Sequence, residues 1–385
     1  EEGIRMYKYQ RYESAIRILT PLAASNPQAN YYMGLSEAGR ENNAAAKTIF
    51  QKFPDDNANV SGLAMMLIEE NKIPEAMALL NKTAAKAKKK DWSPYRYAAD
   101  AITYSEGADP NTAVEWYKKA LEVEKNGDLY IGLGDAYRKM QGGGGNAMSN
   151  YEEAENFPAT KSLANYKMGT LWYAAKNYDS ALVKYKRSSE LEDANPLPYK
   201  ALADAYYRVR KYKTSKEYIE KYLERSDKSL QDLIDYANTL YLSQNYPEAI
   251  AKMNELVARG EGDKHPYMYR VLGYSQFELK DSNAISNMDK LFAKMDSKKL
   301  IPSDYIYYGK MLMRSKDSMK AAQASVYFNK GFALDTTQDK SGTYRQIAEA
   351  FKDVNLYTQS ADFYQRILVS GSPSVEALDY WWCGA

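Results

Sequence analysis

Apolar positions along this chain recur at the three- and four-residue spacing of amphipathic helices, and the helices come in pairs. The clearest stretch runs from Leu163 to Leu223. There Gly169, Trp172, Ala181 and Tyr185 are followed 34 residues later by Ala203, Tyr206, Ser215 and Ile219. The same spacing extends both ways. A small residue on the first helix of each pair reads Gly3, Gly34, Ala64, Ala99, Gly134, Gly169, Ala203, Ala237, Gly273, Gly309, Ala348 and Gly384. A second small residue follows on the partner helix: Ala15, Ala46, Ala76, Ala113, Ala147, Ala181, Ser215, Ala249, Ala284, Ala324 and Ser360. One turn further on, and so on the same face, comes a bulky residue: Leu19, Phe50, Leu80, Tyr117, Tyr151, Tyr185, Ile219, Met253, Met288, Phe328 and Tyr364. Two packed helices need small residues where their backbones approach. A helix pair cannot bury its apolar face alone, so each pair must stack on the next.

These residues resemble the tetratricopeptide repeat (TPR). The resemblance implies an all-α, right-handed superhelical solenoid of about eleven antiparallel helix pairs, occupying residues 1–385 as a single array. Within it, residues 1–90 carry shorter repeats, 91–300 regular ones, and 301–385 longer ones ending in a truncated copy. Ile4 to Tyr7 reads as the end of a first helix and Arg11 to Ala24 as its partner, closing near Asn26-Pro27. Asn195-Pro196, Tyr246-Pro247, His265-Pro266 and Ile301-Pro302 fall at predicted helix boundaries, where proline's missing N–H is tolerated. Ser315 to Ser318 is predicted to lie in a longer turn. Lys86 to Lys90 closes a helix with positive charge, as a solvated helix end does. The run of glycines from Gln141 to Asn146 lacks the strand before it and the GK[ST] after it that a phosphate-binding loop requires, and reads as an inter-helix turn.

Composition narrows the chemistry. One histidine, His265, and one cysteine, Cys383, are present among 385 residues. Structural zinc clusters and intrachain disulfides are therefore excluded, and a histidine-based nucleophilic site would depend on a single residue beside a proline. Acidic residues number 50 against 52 basic ones, and their interleaving on helix faces reads as solvated ion pairs. A net charge of +2 is not that of a dedicated nucleic-acid binder. No apolar run is long enough to span a membrane. No enzyme activity, cofactor or metal is expected. The chain is expected to continue beyond both ends, with membrane association through an anchor outside it left open.

In the TPR family the first helices line a concave surface on which partner segments lie. The resemblance places Arg96, Asp100, Tyr104, Arg138, Lys139, Tyr166, Tyr173, Lys200, Asp204, Tyr207, Arg208, Asn238, Tyr241, Arg270, Tyr274 and Phe277 there. From these Arg96, Tyr104, Arg138, Lys139, Tyr166, Tyr173, Lys200, Tyr207, Arg208, Tyr241, Arg270, Tyr274 and Phe277 are the expected partner-binding residues, because Tyr and Arg offer large contact area with directional polar groups. Tyrosine makes up 36 residues of the chain, so the alternative is that these rings pack between repeats. The chaperone-tail subtype is not matched: Arg96, Lys200 and Arg345 are each followed one turn later by an acid, and Ile234 stands where the lysine before Asn238 would be. The texture of the array is similar to bacterial cell-envelope TPR scaffolds. That likeness implies a protein or peptide partner and a periplasmic or outer-membrane-associated setting, with the cytoplasm as the alternative. A carbohydrate-binding groove is the rival function, since aromatic rings also stack on sugars.

Overall fold

The computed structural model describes residues 1–315, 318–337 and 339–384. It is an all-α repeat of paired antiparallel helices, as the spacing predicts. The chain divides into two compact units, Glu1–Ser229 and Leu230–Ala385, where the sequence reads as one array.

The first unit holds seven pairs. They are α1 (Glu2–Lys8) with α2 (Tyr12–Leu19), α3 (Pro27–Gly39) with α4 (Asn43–Phe50), and α5 (Asn57–Glu69) with α6 (Ile73–Ala84). Then come α7 (Ser93–Thr103) with α8 (Pro110–Val123), and α9 (Gly127–Arg138) with α10 (Gly144–Glu155). The last two are α11 (Lys161–Ala174) with α12 (Tyr178–Leu191), and α13 (Leu197–Arg208) with α14 (Tyr212–Arg225). The second unit runs through α15 (Leu230–Leu242), α16 (Tyr246–Ala258), α17 (Tyr267–Glu278) and α18 (Asn283–Lys294). It continues with α19 (Pro302–Met313), α20 (Ser318–Leu334), α21 (Ser341–Asp353), α22 (Tyr357–Val369) and α23 (Ala377–Gly384).

The small and bulky series meet face to face. A Cβ added to Gly34 would come within 2.4 Å of the Phe50 ring, and one on Gly134 within 2.4 Å of Tyr151. Gly169 stands in the same relation to Tyr185 at 2.6 Å, Gly309 to Phe328 at 2.6 Å, and Gly273 to the Met288 sulfur at 2.8 Å. Where serine replaces alanine in the second series, its hydroxyl is satisfied by the first. Ser215 Oγ donates to the Ala203 carbonyl and Ser360 Oγ to that of Ala348, each at 2.8 Å. The buried hydroxyl therefore costs little.

In most pairs the turn between the helices is also periodic among the described residues. Gln10, Glu41, Asn71, Lys176, Arg210, Gln244, Lys280 and Asn355 all take positive φ. The following N–H closes back on the helix, as Asn42 to Glu37 O, Asn177 to Trp172 O and Lys211 to Tyr206 O, each at 2.9 Å, a Schellman ending. Before α10 the positive φ is that of Gly142, at +73°, and there the following N–H, of Gly143, bonds to Met140 O at 3.0 Å instead. Gly143 is required beside it, since a Cβ would lie 1.9 Å from the Tyr137 carbonyl. The polyglycine run is thus a turn that opens directly into α10.

Two boundaries differ from expectation. The second helix ends at Leu19 and Thr20 begins a turn up to Asn26, which caps α3 through Gln28 and Ala29 N–H. The lysine run sits beyond the end of α6, where Lys86 Nζ donates to Asn57 Oδ1 at 3.0 Å. Of the turn predicted at 315–318, residues 316 and 317 lie outside the described residues.

Candidate functional site

In the first unit, the first helices of successive pairs turn one face toward a common hollow of about 580 Å³. Tyr7 and Lys8 come from α1, Tyr31, Tyr32 and Leu35 from α3, and Met65, Met66 and Glu69 from α5. Arg96, Asp100 and Tyr104 line it from α7 and its cap. Asp128, Ile131, Asp135 and Arg138 come from α9, Leu163, Tyr166 and Lys167 from α11, and Leu197 from α13.

One wall is aromatic. The Tyr7 and Tyr32 ring centroids lie 5.4 Å apart, those of Tyr31 and Tyr32 5.3 Å, and those of Tyr31 and Tyr97 5.6 Å, within the range of favourable tilted and edge contacts. Against this wall Arg96 Nε stands 3.4 Å from Asp100 Oδ2, one turn along the same helix. Tyr117 also donates to Asp100. Burial pushes the Asp100 carboxyl above its usual range, and Arg96 offsets this only in part.

The floor is organised by Asp135, a buried carboxylate. It accepts from Tyr151 Oη at 2.6 Å, Lys167 Nζ at 2.7 Å and Tyr104 Oη at 3.0 Å. Burial opposes its charge, but the Lys167 ammonium and these hydrogen bonds outweigh it and hold the carboxyl below the usual range. Tyr104 still presents half of its surface to solvent. Its phenol is held well above its ordinary value by its surroundings and by Asp135.

Most cations in the hollow are balanced. Arg96 has Asp100, Lys167 has Asp135, and Lys8 lies 3.7 Å from Asp128. Arg138 differs. It is exposed, and its guanidinium forms no ion pair or hydrogen bond with any described residue. Tyr166 sits nearby, half-buried, its phenol raised by burial.

The remaining expected residues fall outside the hollow. Lys139 turns to the α7–α8 loop, donating to Ser105 O and lying 3.3 Å from Glu106. Arg208 on α13 reaches α11, its Nε donating to Tyr173 Oη at 3.1 Å, while Tyr207 lies 5.4 Å from Tyr212 between ring centroids. Lys200 Nζ lies 5.1 Å from the Tyr222 ring centroid. The other four belong to the second unit, where they pack. Arg270 donates two bonds, of 2.6 and 2.7 Å, to Asp304, a fully buried carboxylate at the start of α19. Tyr274 donates to the same group at 2.8 Å and stacks on Tyr307 at 3.9 Å. Phe277 is buried under the Arg314 guanidinium, 4.3 Å from its centroid, and half-buried Tyr241 lies 5.9 Å from Tyr274.

Tyr7, Tyr31, Tyr32, Lys167 and Asp135 line the hollow without being among the residues expected to bind. The signal was present for several of them. Asp135 directly follows the small residue Gly134, as Asp100 follows Ala99; Tyr7 follows Gly3 by one turn, as Arg138 follows Gly134. The short N-terminal repeats obey the same offsets as the regular ones.

Among the described residues no group of three or more His, Cys, Asp or Glu side chains could hold a metal ion, and no helix is long and apolar enough to cross a membrane. No protein-family model matches the chain. A TPR repeat-containing protein of Methanocaldococcus jannaschii is 22% identical over 198 residues, 49% of this chain and 35% of that protein. The chain thus matches about a third of that relative's length. Among solved structures, a tetratricopeptide repeat protein from Parabacteroides merdae is 17% identical with a TM-score of 0.41, over 68% of this chain and 98% of that one. PilF of Pseudomonas aeruginosa is 17% identical with a TM-score of 0.40, over 62% and 92%.

Proposed function

We propose that this TPR repeat protein is a non-enzymatic scaffold that holds a partner segment in the hollow of its first unit. TPR arrays are generally protein–protein interaction scaffolds, and the finer reading concerns where and what this one binds. The observation that carries it is Arg138, an exposed cation with no ion pair or hydrogen bond among the described residues, which lines a tyrosine-rich hollow together with Tyr166. A segment with an acidic side chain for Arg138 and apolar groups for the rings fits that chemistry. Tyr173, Tyr207 and Arg208 extend the surface on the same unit. A periplasmic or outer-membrane-associated setting is part of the proposal, and fractionation of cells producing the natural gene product tests it.

The binding test uses purified chain to select segments from a displayed peptide library, followed by affinity measurement. The variants are Arg138→Ala/Tyr166→Ala and Tyr207→Ala/Arg208→Ala. Truncating a binding hot spot typically costs about 2 kcal/mol or more, so the first variant should lose the segment, and Arg138→Ala alone, at an exposed position, should weaken it while the melting temperature barely moves. Lys184→Ala, which removes a part-exposed pair with Glu155 at 3.6 Å, should change nothing. Equal affinity for wild type and both double variants would refute the hollow as the site. Glycan binding without any selected segment would replace the proposal by the carbohydrate reading.

A further inference from the structure

The first helix pair is fastened from afar. Helix α2 has Arg11 at its N-cap, and no side chain of its own segment caps it. The acceptor comes from Asp227, just past the end of α14. Asp227 Oδ2 accepts the Ser14 N–H at 3.1 Å, and Oδ1 accepts Ser14 Oγ at 2.6 Å and Arg11 Nε at 3.2 Å. A carboxylate at this place satisfies an orphan helix N–H and meets the positive end of the helix dipole. Tyr9 Oη adds a bond of 2.6 Å to Glu192, just past α12.

These contacts bring α1 and α2 across the hollow that they help to line through Tyr7 and Tyr12. Their near seam, on α3, is apolar. The pair spans seven and eight residues, and its buried side chains form a cluster with Ala29 and Met33 that Tyr7 and Tyr32 join to the larger core beyond. The far seam is polar and wetted at Arg11 and Asp227, which are 29% and 18% exposed, while Ser14 and Tyr9 are buried. Water can replace such bonds at small net cost, whereas it cannot replace an apolar seam.

We infer that the α1–α2 pair is a latch over the hollow, held shut by Asp227 and Glu192 and opening at that polar seam. It regulates the site proposed above, and for its biological consequence it rests on that reading. The mechanics do not, since the latch can be measured with no partner present.

The test places a single thiol in the hollow, Leu163→Cys in a Cys383→Ser background, and follows its labelling by a maleimide together with amide exchange at Ser14. Asp227→Ala should speed both by about tenfold, the change in an opening equilibrium that corresponds to about 1.4 kcal/mol. Asp227→Asn keeps an acceptor for the Ser14 amide but loses the charge, and should give a smaller increase. Tyr9→Phe removes one hydroxyl and cannot disturb the fold at large; it too should accelerate labelling. Asp362→Ala, which removes an exposed pair with Arg366, should not. If circular dichroism is unchanged and neither Asp227→Ala nor Tyr9→Phe alters labelling or exchange, the pair is fixed by its packing on α3 and the latch is refuted. That result would leave segment capture by Arg138 and Tyr166 untouched, and loss of capture would leave the latch untouched.

Discussion

Two arginines occupy the same slot in the two units and meet different fates. Arg96 stands three residues before the small residue Ala99, and Arg270 three before Gly273. Arg96 turns along its own helix to Asp100 and remains on the wall of a hollow. Arg270 reaches into the next pair and grips Asp304, whose Oδ2 also accepts the Ile301 N–H at the start of α19. The second unit repeats the device: Arg345 grips Asp379, 34 residues on, and Asp379 accepts the Glu376 N–H. Tyr130 stands 34 residues after Arg96, where an aspartate would be needed. Whether a cation on a first helix holds repeats together or faces the hollow is therefore decided one repeat away.

The sharpest way to break this comparison is to remove the gripped carboxylate. Asp304→Ala would leave Arg270 and Tyr274 without their shared partner, and losing one side of a buried ion pair costs about 3–5 kcal/mol. Chemical denaturation should show that loss in the second unit. Arg138→Ala, in contrast, should stay within about 0.5 kcal/mol of wild type, as surface substitutions do. A comparable loss at both positions would erase the distinction between packing and facing solvent.

A smaller effect is expected in the framework itself. Gly169→Leu drives a side chain into the Tyr185 ring, and overpacking of this kind costs about 1–3 kcal/mol. An unchanged denaturation midpoint would show that the two series do not face each other.

The subtlest expectation is electrostatic and lies inside the hollow. Asp100 and Asp135 should titrate on opposite sides of the ordinary carboxylate range, Asp100 above it because of burial and Asp135 below it because of Lys167 and its hydrogen bonds. The signs have opposite consequences for stability. The depressed group stabilises the fold above its unfolded pKa, and that contribution is lost as pH falls through the folded value. The raised group disfavours the folded charged form, so acidification through its folded value relieves a penalty. Carboxyl-carbon NMR titration reads both, and parallel curves for the two would contradict the assignment.

The framework was legible in the sequence because it depends on volumes, which residue types specify. Gly134 and Tyr151 imply each other wherever the helices lie. The site was legible only in part. Arg138 stands in the hollow four residues after Gly134, while Phe277, four residues after Gly273, is buried. An exposed tyrosine and a buried one look alike along a chain. The Arg-to-Asp spacing of 34 residues was the discriminating signal, and it was open to inspection. The reach of Asp227 to α2 was not, because it joins residues 213 positions apart through the curvature of seven stacked pairs.

The central proposal is that partners meet the hollow of the first unit, whereas the residues expected to bind in the second unit pack. Site-specific photocrosslinking tests it most directly. A benzophenone side chain is placed at Tyr166 in one chain and at Tyr241 in another, and the two are irradiated with the same selected segment or in the same cells. Crosslinks from position 166 and none from 241 are predicted. Crosslinks from 241 with none from 166 would contradict the account.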